Sequence, residues 1–271
     1  DMKAGTDRAF SNGLNRLYIH RFAHQPWQHV RPGMTMGYWG MWFDRTLTWW
    51  EHSEGYNTYV ARAQSVLQHG MPVIDGFIWI GEGLPEDWTR VRDTPEIAAL
   101  RQLTGHRLAL LNGDALRGPV SLEEGGLRLP SGERIQILVM APGADITLES
   151  LERLESAVEA GLILVGTPPA DVAGRQIESG DRARFERVVR ALWGDEHDDA
   201  TARTVGRGRV VRTSSPASAI EGILPPALER EGGPERIAWM RRRVGTTDVF
   251  FVSVQSNLPT ELQLKLRASG V

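Results

Sequence analysis

Residues 14–50, LNRLYIHRFAHQPWQHVRPGMTMGYWGMWFDRTLTWW, decide how the rest of the chain is interpreted. Their first seven residues, LNRLYIH, form an apolar run typical of a buried strand, and Gln25-Pro26 breaks the pattern. Residues 25–50, here called the Trp-rich loop, contain five of the nine tryptophans and have little regular periodicity. Loops longer than about a dozen residues are usually functional or disordered, and this one is too aromatic for disorder. A functional loop is therefore expected.

The composition of the Trp-rich loop suggests a sugar-binding surface. Its tryptophans alternate with His29, Asp44 and Arg45. The apolar face of a pyranose stacks on an aromatic ring, while its hydroxyls need fixed polar partners. The alternative is that these tryptophans fill a core, because Trp is usually well buried. The pattern alone leaves both interpretations open.

The overall composition excludes several classes of protein. The 271 residues are 41% apolar and 24% charged, which is typical of one large or two ordinary globular domains. A net charge of -3 gives no reason to expect nucleic acid or an anionic membrane as a partner. No apolar run approaches the length of a transmembrane helix. The chain has no cysteine, which removes disulfides, thiolate catalysis and zinc-thiolate sites.

Three segments with different patterns are predicted along the chain. Residues 1–70 contain a short helix or turn, the strand at 14–20, the Trp-rich loop, and an amphipathic helix over 54–69 that Ser53 caps and Gly70 ends. Strand, loop and helix form one β/α unit, and in β/α barrels the loops after the strands carry the active site. The predicted apolar face of the helix is Tyr56, Tyr59, Val60, Ala63, Val66 and Leu67.

Residues 71–224 alternate apolar strands with helices, which predicts a mostly parallel, flavodoxin-like α/β domain. Three helices are expected: one capped by Thr147, one capped by Asp181, and a short one over SPASAIEGIL (215–224). Residues 225–271 change to antiparallel β-structure, with a hairpin turn at 244–247, and are interpreted as the start of a β-sandwich. The predicted strands of the α/β domain are VIDGFIWI (73–80), HRLALLN (106–112), RIQILVM (134–140), LILVG (162–166) and GRVVRT (208–213).

Familiar catalytic motifs are missing from the sequence. There is no Walker loop, GxGxxG, HExxH or GxSxG pattern. His20 and His24 are four residues apart but lie at a strand end and in a loop, so a metal site would need further ligands. Asp75, inside an apolar strand, is interpreted as a hydrogen-bonded structural carboxylate. Glu82, at the end of that strand, is interpreted as an interdomain contact.

Glycoside hydrolysis needs two carboxyl groups flanking the scissile bond. The candidates near the loop are Asp44, Glu51 and Glu54, and none follows a strand that would hold it rigidly. We therefore expect this chain to supply a sugar-binding flank to an active site whose acid and base lie elsewhere. The sequence starts without Met and ends just after an alternating strand, ELQLKL (261–266), so a piece of a longer protein is expected.

The chain resembles glycoside hydrolase family 106, the α-L-rhamnosidases. The blocks that carry the resemblance include DRAFSNGLNRLYIHRFAHQPW (7–27), PGMTMGYWGMWFDRTLTWWE (32–51) and YVARAQSVLQHGMPVID (59–75). It continues through WIGEGLP (79–85), LRLPSGERIQILVMAP (127–142) and DVFFVSVQS (248–256), and so covers nearly the whole chain. The resemblance implies a TIM-type β/α barrel, an inverting mechanism, and a following domain like class I glutamine amidotransferases. Family 42 β-galactosidases share that general order.

The resemblance also implies roles for particular residues. The strand at 14–20 would be the last of the barrel, and the catalytic glutamates would lie upstream of the first residue. The expected edge of the sugar pocket is His20, His24, Gln25, Trp49 and Trp50. Calcium is associated with the family, but no ligand can be assigned, and no metal-binding residue is predicted here.

Glutamine amidotransferase activity needs a cysteine nucleophile, which this chain lacks, so residues 71–224 are interpreted as a structural or oligomerising domain. Three hypotheses remain: a rhamnosidase acting on rhamnose-containing oligosaccharides or glycosides, a non-catalytic carbohydrate-binding or assembly module, and a flavodoxin-like cofactor binder. The third would need an anion-cradling loop after a strand, and no good one is found. A bacterial periplasmic or secreted location is expected.

Overall fold

The computed structural model describes most of the chain, which forms two compact units. The first unit contains residues 1–72 and 234–260, and the second contains residues 73–233 and 261–271. The described residues are 2–20, 22–38, 43–82, 95–103, 105–169, 171–174, 179–195, 201–232, 237–256 and 261–267.

The helices and strands follow one another along the chain in a mixed α/β order. The helices are α1 (Met2–Ser11), α2 (Glu54–Leu67), α3 (Pro95–Gln102), α4 (Gly113–Arg117), α5 (Leu148–Glu159), α6 (Ser179–Trp193) and α7 (Pro216–Ile223), with a 3-10 turn at Trp50–His52. The strands are β1 (Met71–Pro72), β2 (Gly76–Trp79), β3 (Leu108–Leu111), β4 (Ser121–Glu123), β5 (Gly126–Arg128), β6 (Arg134–Ile135), β7 (Ile137–Met140), β8 (Ile163–Val165), β9 (Ala202–Val205), β10 (Gly208–Val211), β11 (Leu228–Glu231), β12 (Ile237–Val244), β13 (Thr247–Val254) and β14 (Gln263–Leu266).

The first unit packs α1 and α2 with a three-stranded antiparallel sheet of order β1-β12-β13. Its core joins Phe10 of α1, Val60 and Leu67 of α2, and Met240 of β12. The Phe10 ring meets Phe251 of β13 edge to face, with centroids 5.9 Å apart. Apolar residues from distant parts of the sequence thus share one small core, in the same unit as the Trp-rich loop.

The hairpin β12–β13 corrects the predicted boundary at 225–271. The sequence predicts that this segment begins a following β-domain, but β12 pairs with β1 through Met71 and Pro72, and Ser253 of β13 donates to Asp7 of α1. The remaining strands of the segment, β11 and β14, pair with each other and belong to the second unit. The boundary could not be predicted because tertiary packing decides which unit a hairpin joins, and position along the chain does not.

The second unit is built on a six-stranded sheet of order β3-β2-β7-β8-β10-β9. Its strands are parallel except β9, which is antiparallel to β10. Numbered along the chain, the five parallel strands lie in the order 2-1-3-4-5. One apolar core joins them to α5, α6 and α7, and a separate small sheet, β4-β5-β6, interrupts the alternation.

The predicted strands and helices of this unit are largely confirmed. β2, β3, β7, β8 and β10 lie inside the five apolar runs, and Thr147 caps α5 by accepting the Ser150 N–H at 3.3 Å. The second helix begins at Ser179, two residues before the predicted cap Asp181. The antiparallel edge strand β9 is not predicted, because its sequence ARTV lacks an apolar run.

The strand predicted at residues 14–20 is not formed. These residues are irregular, and Tyr18 is 79% exposed. A strand requires a hydrogen-bonded neighbour, and no described strand pairs with this segment. The last β/α unit of a barrel is therefore not seen as such within the described residues.

Helix α2 is shorter and less buried than its pattern predicts. It ends at Leu67, and Val66 is 50% exposed. Ser53 makes no side-chain cap hydrogen bond. Gly70 is confirmed as the stop, because it has φ +65° and a Cβ there would overlap the Arg243 carbonyl.

Candidate functional site

A buried hydrogen-bonded cluster holds the Trp-rich loop together. The Gln25 side chain pairs with the Met34 backbone: its Oε1 accepts the Met34 N–H at 2.9 Å, and its Nε2 donates to the Met34 carbonyl at 2.8 Å. Nε2 also donates to Asp44 Oδ2 at 3.1 Å. Asp44 Oδ1 accepts the Thr46 N–H at 2.8 Å and the Thr46 hydroxyl at 2.6 Å. We call these four residues the Gln25–Asp44 cluster.

Glycine makes the close approach within this cluster feasible. Gly33 has φ +70°, and a Cβ built on it would lie 2.1 Å from Gln25 Oε1. Any side chain at this position would both strain the backbone and displace the amide. The Gln25–Asp44 cluster therefore depends on a glycine immediately before Met34.

Asp44 is a buried, ionised carboxylate. Its side chain is only 1% exposed. Burial acts to raise the pKa, but hydrogen bonds from the Thr46 side chain and backbone, then from Gln25, outweigh it and hold the pKa of Asp44 below its ordinary value. A carboxylate that is ionised and fully bonded cannot serve as a general acid near neutral pH.

Four of the five predicted sugar-contact residues are accessible to solvent, and the fifth, Gln25, is buried. His20 and His24 are exposed, and Trp49 and Trp50 are half-buried. Both tryptophans pack edge to face against Phe43, with ring centroids 5.3 and 5.5 Å away. Gln25 differs from the rest, because it is buried and its amide is committed to the loop itself.

Exposed aromatic rings that the sequence does not single out as site residues lie in and beside the loop. Trp27 is 47% exposed, and its neighbours Gln28 and His29 are also exposed. Such exposure is unusual for Trp, which is mostly well buried. The feature of the sequence that could have identified this site is the presence of an aromatic residue, Trp27, two positions before a hydrogen-bonding residue, His29. The other exposed rings are Tyr18, Phe22 and Tyr38. Trp39 and Trp42 lie outside the described residues.

The three carboxylates considered for catalysis do not form an acid–base pair in the described part of the loop. Asp44 is buried, whereas Glu51 and Glu54 are exposed and lie on the 3-10 turn and at the start of α2. None of the three is therefore assigned as the acid or the base, and the location of the acid and base elsewhere stays a prediction.

A second cluster fills the carboxyl edge of the parallel sheet in the α/β unit. Glu82, directly after β2, accepts the Thr147 N–H at 2.5 Å and the Ser150 hydroxyl at 3.0 Å at the start of α5, and it forms an ion pair with Arg117. The Glu82 N–H donates to Asp145 at 2.8 Å. These contacts lie within one unit, so they give no support to the interdomain role predicted for Glu82.

Asp75 is confirmed as a structural carboxylate. It accepts the Arg107 N–H at 2.8 Å and pairs with Arg267 at 3.2 Å. Both partners belong to the same unit as Asp75. The carboxylate thereby ties the residues before β3 and after β14 to the start of β2.

Two further properties concern metals and membranes. Among the described residues, no group of three or more His, Asp or Glu side chains is close enough to hold a metal ion. No described helix has the length and apolar character needed to cross a bilayer.

Comparison with known proteins identifies one family, although one relative has a different name. Residues 1–271 match the sequence profile of the glycoside hydrolase 106 family, described as alpha-L-rhamnosidase. A solved rhamnosidase from Novosphingobium sp. PP1Y superposes with a TM-score of 0.85 at 25% identity, covering 100% of this chain and 25% of that one. A Formosa agariphila protein named "Putative beta-glucuronidase" is 26% identical over 272 residues, which is 100% of this chain and 22% of that protein.

A more distant likeness is to a family 42 β-galactosidase from G. stearothermophilus. The TM-score is 0.44 at 11% identity, over 76% of this chain and 39% of that one. A score this low does not support the general order of domains expected from that family. The chain spans about a quarter of the length of the two relatives that it matches throughout.

Proposed function

The chain belongs to glycoside hydrolase family 106, the α-L-rhamnosidases, and we propose that it is a segment of an inverting enzyme that hydrolyses terminal α-L-rhamnosyl linkages in plant or microbial glycans. The observation that supports this most is the family match over residues 1–271. The TM-score of 0.85 to a solved rhamnosidase adds to it. Because the chain covers only about a quarter of that enzyme, the activity is proposed for the longer protein.

In this proposal the Trp-rich loop forms one wall of the sugar pocket. Trp49 and Trp50, braced against Phe43, offer ring faces and edges to the apolar side of a pyranose. The exposed His20 and His24 offer ring nitrogens to sugar hydroxyls. A wall of this kind positions the glycosidic bond and leaves proton transfer to carboxyl groups supplied by other parts of the enzyme.

The segment 14–20, which is irregular in this structure, is proposed to be the last strand of a β/α barrel in the longer enzyme. Its exposed Tyr18 and Ile19 would then be covered by the neighbouring barrel strands of that enzyme. Calcium is proposed for the longer enzyme from the family resemblance alone, and no ligand is assigned in this chain. A periplasmic or secreted location suits an enzyme that acts on glycans outside the cell.

The α/β unit is proposed to be a flavodoxin-like domain with a structural or oligomerising role. The strand order 2-1-3-4-5 is that of doubly wound flavodoxin-like sheets, which bind ligands at the carboxyl edge. Here Glu82, Arg117 and Ser150 fill part of that edge with contacts to one another. The lack of cysteine argues independently against amidotransferase chemistry.

A second candidate function applies to the chain taken alone. A non-catalytic carbohydrate-binding or assembly module is favoured by the described carboxylates, since Asp44 is buried and committed and no acid–base pair is formed in the described part of the loop. This description holds together with the rhamnosidase proposal for the longer protein. The two descriptions exclude each other only if the longer protein does not hydrolyse rhamnosides.

The experiment that tests the proposal follows product stereochemistry. The full-length protein is mixed with an aryl α-L-rhamnoside, and the anomeric proton of the released sugar is recorded by NMR before mutarotation. An inverting enzyme releases β-rhamnose first. Initial release of α-rhamnose would exclude inversion, and no release would exclude the rhamnosidase.

A further inference from the structure

We propose that Gln25 and Asp44 are positioning residues of the sugar-binding wall, which act by fixing the shape of the Trp-rich loop and do not contact the sugar. The inference rests on the proposed function and assigns Gln25 a different role from the substrate contact expected from the family resemblance. It depends on three observations: the committed amide of Gln25, the buried carboxylate of Asp44, and the positions of the loop tryptophans close in sequence to the residues that these two bind.

The hydrogen-bonding capacity of Gln25 is used within the loop. A glutamine amide has two N–H donors and one carbonyl oxygen. One N–H reaches the Met34 carbonyl, the other reaches Asp44 Oδ2, and the oxygen accepts the Met34 N–H. The side chain is 8% exposed, and Gly33 lies against the oxygen. No donor therefore remains for a sugar hydroxyl.

Asp44 is the fixed point to which the amide is tied. Its carboxylate accepts two bonds from Thr46 and one from Gln25, at 2.6 to 3.1 Å. A buried charge is tolerated only when its oxygens are bonded in this way. Asp44 thereby connects the start of the loop to its second half. Its carboxylate requires a hydrogen-bond donor at position 25, which the Gln25 amide supplies.

The Gln25–Asp44 cluster determines where the loop presents its aromatic rings. The chain leaves at Gln25 and returns at Met34, and the residues between them carry the exposed Trp27 and His29. On the other side of Asp44, three residues separate Thr46 from Trp50. Loss of the cluster frees both sets of rings. A displacement of about 1 Å at positioning residues can lower the rate by on the order of a hundredfold.

The test uses the full-length protein with two reciprocal changes. Gln25→Glu places a second carboxylate 3.1 Å from that of Asp44 and removes the donors. Gln25→Glu with Asp44→Asn restores one donor–acceptor pair with its direction reversed. Gln136→Glu, at an exposed glutamine of the α/β unit outside the Trp-rich loop, is the control for the added charge. Thermal unfolding of each variant is recorded to establish that it is folded.

Two readouts distinguish positioning from general stability. The first is kcat and KM on an aryl α-L-rhamnoside across pH, expressed at each pH as a ratio to wild type. Gln25→Glu should lower kcat/KM on the order of tenfold to a hundredfold. The ratio should recover as the pH falls, because the introduced carboxyl group, once protonated, again donates to Asp44. The double variant should recover part of the loss and remove the pH dependence of the ratio, and Gln136→Glu should match wild type.

The second readout is acrylamide quenching of tryptophan fluorescence. Quenching should increase in Gln25→Glu, because rings that the loop now holds in place become accessible, and should return toward wild type in the double variant. If Gln25→Glu does not fold, Thr46→Val, which removes one donor to Asp44, replaces it and should give a smaller loss of kcat/KM with a rise in quenching.

Three outcomes would overturn the proposal. One is a ratio of Gln25→Glu to wild-type kcat/KM that does not change with pH. Another is wild-type kcat/KM in folded Gln25→Glu or Thr46→Val, and the third is a double variant that is worse than Gln25→Glu. A wild-type protein that does not cleave the rhamnoside overturns the proposed function instead. In that case quenching alone decides whether Gln25 and Asp44 hold the loop.

Discussion

Individual buried carboxylates in this chain connect parts of the structure that are distant in sequence. Asp7 illustrates this in the first unit: it is 1% exposed and accepts bonds at 2.5 Å from Lys3, Tyr59 and Ser253. These donors come from α1, α2 and β13. One acidic side chain thus connects the N-terminal helix to the hairpin β12–β13.

The Asp7 contacts predict an acid-sensitive stability. Burial acts to raise the pKa, but hydrogen bonds from Lys3, Ser253 and Tyr59 outweigh it and hold the pKa of Asp7 below its ordinary 3.8. The carboxylate therefore stabilises the fold above that pH, and the contribution is lost as the pH falls through the lower folded-state pKa. Asp7→Asn should cost about 2 kcal/mol in denaturant unfolding near neutral pH.

The same measurement at acidic pH gives the matched comparison. The difference between wild type and Asp7→Asn should shrink as the pH falls from 3.8 through the lower folded-state pKa, where the wild-type carboxylate becomes protonated. Asp114→Asn, which removes a largely exposed carboxylate in a surface ion pair, should have little effect at any pH. Equal stability of wild type and Asp7→Asn at neutral pH would show that Asp7 does not hold the unit together.

The exposed His24 and half-buried Trp49 predict a kinetic effect in the full-length enzyme. His24→Ala removes a hydrogen-bonding group, and Trp49→Ala removes a ring that packs on Phe43. Each should raise KM, lower kcat, or both, by weakening sugar positioning. Trp49→Phe, which keeps an aromatic ring, should lose less. Unchanged kinetics in folded variants would assign both residues a structural role.

At the scale of secondary-structure elements, local patterns predict the α/β unit well and the first unit poorly. Helix α5 is predicted from the Thr147 cap and an apolar face that is buried as expected at Leu151, Leu154 and Val158. The run at 14–20 also has apolar residues, but no described strand pairs with it, so no strand forms. Strand formation depends on a partner that local sequence does not specify.

The candidate site is predicted only in part for the same reason. Aromatic and histidine content locates the Trp-rich loop, and Trp49, Trp50, His20 and His24 are accessible to some extent. Whether Gln25 faces solvent or the loop depends on contacts across 9 and 19 residues of sequence, to Met34 and Asp44. No periodic pattern indicates such contacts, so the sequence predicts a sugar contact where the structure has a buried amide.

The start of helix α5 provides a prediction for the α/β unit. Glu82→Ala removes the acceptor of the Thr147 N–H and Ser150 hydroxyl and leaves Arg117 without its most buried ionic partner. Removing one member of a buried pair costs about 3 to 5 kcal/mol, and a smaller loss of about 2 kcal/mol is expected here because Arg117 is partly exposed. Denaturant unfolding of the chain measures it.

Glu149 provides the matched control for Glu82. It is 3.9 Å from the same Arg117, but its side chain is 77% exposed. Glu149→Ala should therefore change the free energy of unfolding by less than about 1 kcal/mol. Equal effects of the two substitutions would mean that the Glu82 contacts do not stabilise the start of α5.

At the scale of the whole molecule, the described chain is a pair of compact units that matches about a quarter of its longer relatives. The Trp-rich loop belongs to the first unit, and the filled carboxyl edge of the sheet belongs to the second. The described residues of the loop do not bring together two carboxyl groups suited to glycoside hydrolysis. The chemistry is therefore proposed for the longer enzyme and not for this chain.

This assignment predicts that the 271-residue chain alone does not turn over an aryl α-L-rhamnoside, whereas the full-length protein does. The physical reason is that no pair of suitably placed carboxyl groups is found beside the described part of the loop. Release of the aryl group is measured for both proteins at equal concentration, with circular dichroism to establish that the chain is folded. Turnover by the chain alone would place the acid and base within it.

The central claim is that the full-length enzyme is specific for α-L-rhamnosides, although one relative is named as a β-glucuronidase. The most direct test compares kcat/KM for an aryl α-L-rhamnoside with that for an aryl β-D-glucuronide under the same conditions. A pocket that fits the methyl group of rhamnose would have to bury the glucuronide carboxylate unpaired, so a preference of at least roughly a hundredfold for the rhamnoside is predicted. Equal hydrolysis of the two substrates, or preference for the glucuronide, would contradict the claim.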